Sequence, residues 1–159
     1  MSEQSKDLAN RLRAFNEEVI SFVRNCTGED WGRVCPWEEW PVGVVARHIG
    51  AGHYQAVAQA RAIVAGEKLP ELGMDEVTRM ANEHAREHAG CSREEVMDLL
   101  RETGREAADY VAGLSDEELD RTGTLALAGG EISVRRLLEN VILLSGGRHF
   151  ANMKEAVRR

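Results

Sequence analysis

The chain has 159 residues, of which 43% are hydrophobic and 30% are charged, and its formal net charge at pH 7 is −7. This length suits one compact domain, which we expect to span residues 1–159. The negative charge predicts no binding to nucleic acid or to an anionic membrane surface, and no segment approaches the roughly 18 consecutive apolar residues of a membrane span.

The cysteines and the N-terminal residues predict a cytoplasmic protein. Cys26, Cys35 and Cys91 are odd in number and have no paired spacing, which favours free thiols in a reducing compartment. The first residues show no basic start followed by an apolar run, as a secretory signal would. We interpret Cys35 as a packed loop cysteine, because nothing in its surroundings indicates a reactive thiol.

The first half of the chain predicts two helices joined by a tryptophan-rich loop. Apolar residues recur at helical intervals over residues 5–26. Residues 27–40 contain Trp31, Trp37 and Trp40, and we expect this loop to fold onto the bundle because three indoles are seldom left exposed. Pro41 suits the first turn of the second helix, which we expect to end near residue 65.

The second half predicts two more long helices and a last helix preceded by a short element. The third helix is expected over residues 75–89, and Ser92 with Glu95 predicts a capping box that begins the fourth. Ser115, followed by three acidic residues, indicates a short helical turn. Residues 122–131, rich in Gly and Thr, suggest a loop or small hairpin, and Ser133 then caps the last helix.

His149 is predicted to point into the bundle from the last helix. A helical wheel places Ser145, His149 and Asn152 on the face that also carries Val134, Leu138 and Val141. Gly146 and Gly147 lie between Ser145 and His149, and each lowers helix stability by about 1 kcal/mol relative to Ala. Space kept for a ligand and close packing against a neighbouring helix explain these glycines equally well.

The other four histidines lie in the second and third helices. His84 and His88 are four residues apart, a spacing that can chelate a metal but also arises by chance on a partly exposed face. In the second helix, His53 falls within the apolar stripe and is interpreted as a core histidine. His48 lies on the flank of this stripe, where it could line a cleft, and Gly52 would leave space above the His48 imidazole. The helical wheel does not decide whether His48 lines such a cleft.

Several short motifs occur together in a recognisable order. Trp31 is followed by WPVGVVARHIG at residues 40–50; Asn82 lies in the third helix, SREEV begins at residue 92, LSDEEL begins at residue 114, and His149 lies in the last helix. In this combination the chain resembles the DinB/YfiT-like superfamily over residues 8–155.

The resemblance implies an all-α fold and a metal site. The fold would be a four-helix bundle with unusual connections, a Trp-rich loop after the first helix and a short extra helix or hairpin before the last; a homodimer is also implied. Nickel, zinc or manganese would bind at the inner end, held by one histidine of the second helix and two ligands four residues apart in the last. Carried over, these positions are His48, Ser145 and His149, and a serine hydroxyl is a poor ligand for such metals.

Three interpretations of the site follow. His53, His84 or His88 could complete it; water could complete a weak two-histidine site; or the metal could be lost, which leaves His48 and His149 as an acid–base or hydrogen-bonding pair. We rank the weakened or depleted site first, because a catalytic zinc-type centre usually has three protein ligands.

The resemblance implies a metal-dependent enzyme of the thiol-dependent transferase, isomerase or hydrolase type, using a low-molecular-weight thiol such as mycothiol or bacillithiol. Ser145 could position a metal-bound water, and Gln55 or Asn82 could orient a small-molecule substrate. The alternative is a non-catalytic protein that binds a small molecule in the same cleft, or a stress-related dimeric helical bundle.

Overall fold

Four long helices form where the hydrophobic periodicity predicts them. A computed structural model describes residues 2–158 of the chain. Its elements are, in chain order, α1 (Glu3–Asn25), α2 (Gly28–Gly32), α3 (Val42–Val64), α4 (Met74–Glu87), α5 (Arg93–Ala112), α6 (Asp116–Asp120), β1 (Thr122–Leu125), β2 (Gly130–Ser133), α7 (Val134–Leu138), a π-helical segment (Glu139–Ser145) and α8 (Gly146–Ala156). The last three run on as one helix, which with α1, α3 and α5 makes the predicted four-helix bundle.

The predicted serines cap their helices, but the reciprocal capping box predicted for Ser92 and Glu95 is only half formed. The side chain of Ser92 accepts a hydrogen bond from the backbone of Glu95, and that of Ser133 accepts one from the backbone of Arg136. Ser115 and Glu118 form a reciprocal capping box at α6. Both of the short elements considered before the last helix are present, since α6 is followed by an antiparallel hairpin in which Thr122 pairs with Ser133.

The core consists of two clusters of buried apolar side chains. In the cluster nearer the hairpin, α1, α3 and α5 pack against α7 and Ile142. The second cluster packs α1, α3, α5 and α8 together with the loop before α3, and it contains Val19, Ile20, Val23, Val45, Ile49, Val96, Leu100, Phe150 and Met153. No helix within residues 2–158 is both long and apolar enough to cross a membrane.

One polar group lies inside the bundle between α1, α3 and α5. His53 is only 2% exposed, and its Nε2 lies 2.9 Å from Oδ1 of Asn16, whose Nδ2 donates to the carbonyl of Leu100 at 2.9 Å. Burial lowers the pKa of His53 to about 4, so its imidazole is neutral at pH 7. His53 therefore lies in the core, as its place in the apolar stripe predicts.

The last helix is not a regular α-helix throughout. Its π-helical segment ends at Ser145, directly before the site, and such segments are frequent at functional sites. A Cβ at Gly146 would lie 3.2 Å from the ring of Phe15, whereas one at Gly147 would have no neighbour within 4 Å. Close packing therefore explains Gly146, and only Gly147 borders open space.

Candidate functional site

The structure brings together the two histidines that the resemblance implies. His48 on α3 and His149 on α8 have ring centroids 4.9 Å apart, with the ring planes at 89°. The indole of Trp40 packs against the other side of His48, at 5.3 Å between centroids. These two imidazoles, contributed by two different helices, are the centre of the candidate site.

His48 is held in its neutral form. Burial, together with the neighbouring His149 and His84, lowers its pKa to about 4, and only the carboxylate of Glu38 opposes this shift. At pH 7 the His48 side chain therefore carries no charge. It has one N–H donor and one nitrogen lone pair, but with so low a pKa it is a weak base.

The tryptophan-rich loop is a folded structure with one outward-pointing indole. The short helix α2 lies in its first half, and an antiparallel bridge between Val34 and Pro41 closes its second half. Trp31 and Trp40 pack on the second core cluster as predicted. The prediction is wrong for Trp37, which is 83% exposed, because the turn at residues 36–38 directs this side chain away from the bundle.

The same turn directs Glu38 into the site. Oε2 of Glu38 lies 2.6 Å from Nδ1 of His149 and accepts a hydrogen bond from Nδ2 of Asn152 at 2.9 Å. Oε1 is buried without a hydrogen-bond partner among the residues described. The sequence reasoning missed Glu38, because a residue in an aperiodic loop carries no signal of where its side chain points.

A cleft of about 450 Å³ opens beside His149. Its lining includes Ser145 and Asn152, so the face predicted for the last helix does border a cavity. Trp37 and Arg148, both exposed, lie at its rim. The cleft thus places an indole and a guanidinium beside His149, and its full lining is Trp37, Glu38, Ser145, Arg148, His149, Ala151 and Asn152.

The predicted substrate-binding residues lie elsewhere. Gln55 is exposed on α3 and is not part of the cleft lining. Asn82 on α4 is also outside the lining, and its Oδ1 accepts a hydrogen bond from Nε1 of Trp40 at 3.2 Å. Asn82 therefore reaches the site only through Trp40, the neighbour of His48.

The remaining histidines do not complete a metal centre with His48 and His149. His53 is bonded in the core. Nε2 of His84 lies 2.6 Å from the guanidinium of Arg47, and the rings of His84 and His88 are 4.5 Å apart. Over residues 2–158, no three His, Cys, Asp or Glu side chains converge as metal ligands.

Cys35 lies beneath the loop and is fully buried. Burial, reinforced by the nearby carboxylate of Glu38, raises the pKa of its thiol to about 12. A thiol that remains protonated at neutral pH is a poor nucleophile, in line with the interpretation of Cys35 as a packed loop cysteine.

The donor set does not fit the three-ligand metal centre that the resemblance implies. Two imidazoles are suitable donors, but the hydroxyl of Ser145 is a weak one. The nearest carboxylate, that of Glu38, has one oxygen committed to His149 and Asn152. A cation could be held here by His48 and His149 alone, one protein ligand fewer than catalytic zinc-type sites usually have.

The fold and the paired histidines define a DinB/YfiT-like four-helix bundle. The chain belongs to the family of the mycothiol maleylpyruvate isomerase N-terminal domain, which matches residues 12–142. That segment includes His48 and leaves Ser145 and His149 outside it.

A solved structure agrees with this assignment. The chain is similar in fold to YfiT from Bacillus subtilis, described as a probable metal-dependent hydrolase with an unusual four-helix bundle topology. The TM-score is 0.80 at 18% identity, covering 100% of this chain and 89% of the other. No curated protein matches the chain.

Proposed function

We propose that this protein is a small-molecule enzyme of the isomerase, thiol-dependent transferase or hydrolase type, with a metal site depleted to two histidines. The observation that carries the proposal is the pairing of His48 and His149, with centroids 4.9 Å apart, beside an open cleft. The family and its mycothiol-dependent namesake support a low-molecular-weight thiol as co-substrate. The similarity to a probable metal-dependent hydrolase supports water as the alternative co-substrate.

His149 is the proposed general base. A bound thiol or water must lose a proton before it attacks an electrophilic carbon, and a positioned imidazole is the side chain that most often accepts it. His48 suits this role poorly because its pKa of about 4 makes it a weak base. Its neutral ring lies outside the cleft lining and instead packs edge-on against the ring of His149.

The rim of the cleft suits a substrate that carries a carboxylate. Arg148 is exposed there and has no ion pair to an acidic residue within the described part of the chain. An arginine can bind a carboxylate through two parallel hydrogen bonds. The neighbouring indole of Trp37 offers a flat apolar surface for the body of the same molecule.

Metal analysis tests the depleted site. We expect purified protein to contain less than one equivalent of metal, and to bind added zinc, nickel or manganese weakly in calorimetric titrations. His48→Ala and His149→Ala should each abolish that binding, whereas His88→Ala, on the neighbouring helix, should not. Tight stoichiometric metal, or binding that survives both site substitutions, would contradict the proposed ligand pair.

Activity is tested with thiol-acceptor and hydrolysis reactions on unsaturated and ester-bearing carboxylates, with mycothiol or bacillithiol as the thiol. Turnover that is lost in His149→Gln and kept in His88→Gln would support the enzyme. Binding of these compounds without turnover would instead support the second candidate, a non-catalytic small-molecule-binding protein. The neutral Ser145 at the expected ligand position favours this second candidate.

A further inference from the structure

Glu38 occupies its position through an unusual turn. Its neighbour Glu39 has a backbone φ of 61°, in the left-handed region that is strained for a residue other than glycine. The turn is closed by a hydrogen bond from the backbone of Glu39 to the carbonyl of Cys35 at 2.8 Å. As a result the Glu38 side chain is only 5% exposed, although the adjacent Trp37 is largely in solvent. The loop thus holds a carboxylate inside the protein at a conformational cost.

The buried carboxylate makes its polar contacts with one turn of α8. His149 and Asn152, three residues apart, both direct a side-chain nitrogen at the same oxygen, Oε2. A carboxylate can only accept hydrogen bonds, so Nδ1 of His149 must carry the hydrogen. In neutral His149 the lone pair is therefore on Nε2, the nitrogen that is free to meet a ligand.

We propose that Glu38 is a positioning residue that fixes His149 in its Nδ1–H form and orients its ring, so that Nε2 faces the reacting group. Asn152 keeps the carboxylate in place by its second hydrogen bond to Oε2. This role rests on the proposed function only in making His149 the reactive histidine. A carboxylate on the far nitrogen of a working imidazole selects the tautomer and fixes the orientation of the ring.

Nitrogen NMR of the full-length protein, with ¹⁵N-labelled histidine, tests the proposal directly. At a pH where the imidazoles are neutral, the long-range couplings should show His149 as the Nδ1–H tautomer, with its signals assigned by their loss in His149→Gln. Glu38→Ala should release the ring to a mixture with the Nε2–H tautomer. Glu38→Gln keeps an acceptor oxygen and should preserve the Nδ1–H form, and Glu39→Gln, the matched neighbour, should change nothing.

The wild-type spectrum alone can overturn the proposal, whether or not the Glu38→Ala variant folds. If wild-type His149 is the Nε2–H tautomer, or if a folded Glu38→Ala variant keeps a pure Nδ1–H form, Glu38 does not have this role. With an active substrate in hand, Glu38→Ala should lower kcat roughly 10–100-fold with little change in KM. If His149 is the Nδ1–H tautomer but no substrate is turned over, only the proposed enzymatic function is refuted. If substrate is turned over but His149 is the Nε2–H tautomer, only the proposed role of Glu38 is refuted.

Discussion

Replacement of Gly104 by alanine should destabilise the bundle, although alanine is the better helix former. Gly104 lies in the middle of α5, against the side chain of Asn16. A Cβ there would lie 2.5 Å from Cγ of Asn16 and closer still to its Nδ2. The amide would have to move, and this would break its bonds to the carbonyl of Leu100 and to Nε2 of His53, both 2.9 Å long.

The size of the destabilisation follows from the polar groups that would be left buried without hydrogen-bond partners. Each buried polar group that loses its partner costs about 1–3 kcal/mol, and two groups are affected here. The change from glycine to alanine returns about 1 kcal/mol of helix propensity. The free energy of unfolding should therefore fall by roughly 1–5 kcal/mol, as the balance of these two contributions.

Urea denaturation followed by circular dichroism measures this change, with Gly52→Ala as the matched control. Gly52 lies within α3, and a Cβ there would have no neighbour within 4 Å. Gly52→Ala should therefore be neutral or stabilise the protein by up to about 1 kcal/mol. If Gly104→Ala is as stable as Gly52→Ala, the buried network does not restrict residue 104 and the reasoning fails.

Two further predictions concern pH and ligand entry. Because burial lowers the pKa of His53 to about 4, the unfolded chain binds more protons than the folded one below about pH 6.5, and stability should fall as the pH is lowered. Urea titrations at pH 7.5 and 5 measure the loss in the free energy of unfolding, of which His53 should account for about 2 kcal/mol. A folded His53→Gln variant should not show this part of the loss, and an equal loss in both proteins would refute the prediction. Binding of a small molecule in the cleft should change the fluorescence of Trp37, the exposed indole at its rim. Trp37→Phe should remove that change without altering the free energy of unfolding, and a change that persists would locate binding elsewhere.

The helices could be predicted because their causes are local. A stripe of apolar residues at helical intervals must be buried, and the core clusters contain the members of that stripe on α1, including Leu12 and Val19. Serine caps at Ser92, Ser115 and Ser133 act within a few residues of the helix start, so they can be read directly from the chain. His53 was placed in the core by the same periodicity.

The site was only partly predictable because its geometry depends on a loop. The pairing of His48 with His149 came from the resemblance, since periodicity left His48 undecided. Glu38 meets His149 across 111 positions of the chain, and its direction depends on the positive φ of Glu39. Neither a long-range contact of this kind nor the backbone of an aperiodic turn leaves a pattern in the sequence. The outward position of Trp37 was missed for the same reason.

Two departures from the expected site act on the same histidine. A third metal ligand is expected at position 145, one turn before His149, but Ser145 offers only a neutral hydroxyl. The loop provides a carboxylate in its place, but Glu38 binds Nδ1, the nitrogen turned away from the proposed reacting group. The carboxylate beside His149 thus contacts the ring at Nδ1, a position suited to orienting the imidazole. A carboxylate on Nδ1 leaves Nε2 available to accept a proton or to hold a metal; because a strong third ligand is missing at Ser145, proton acceptance is the role that we propose.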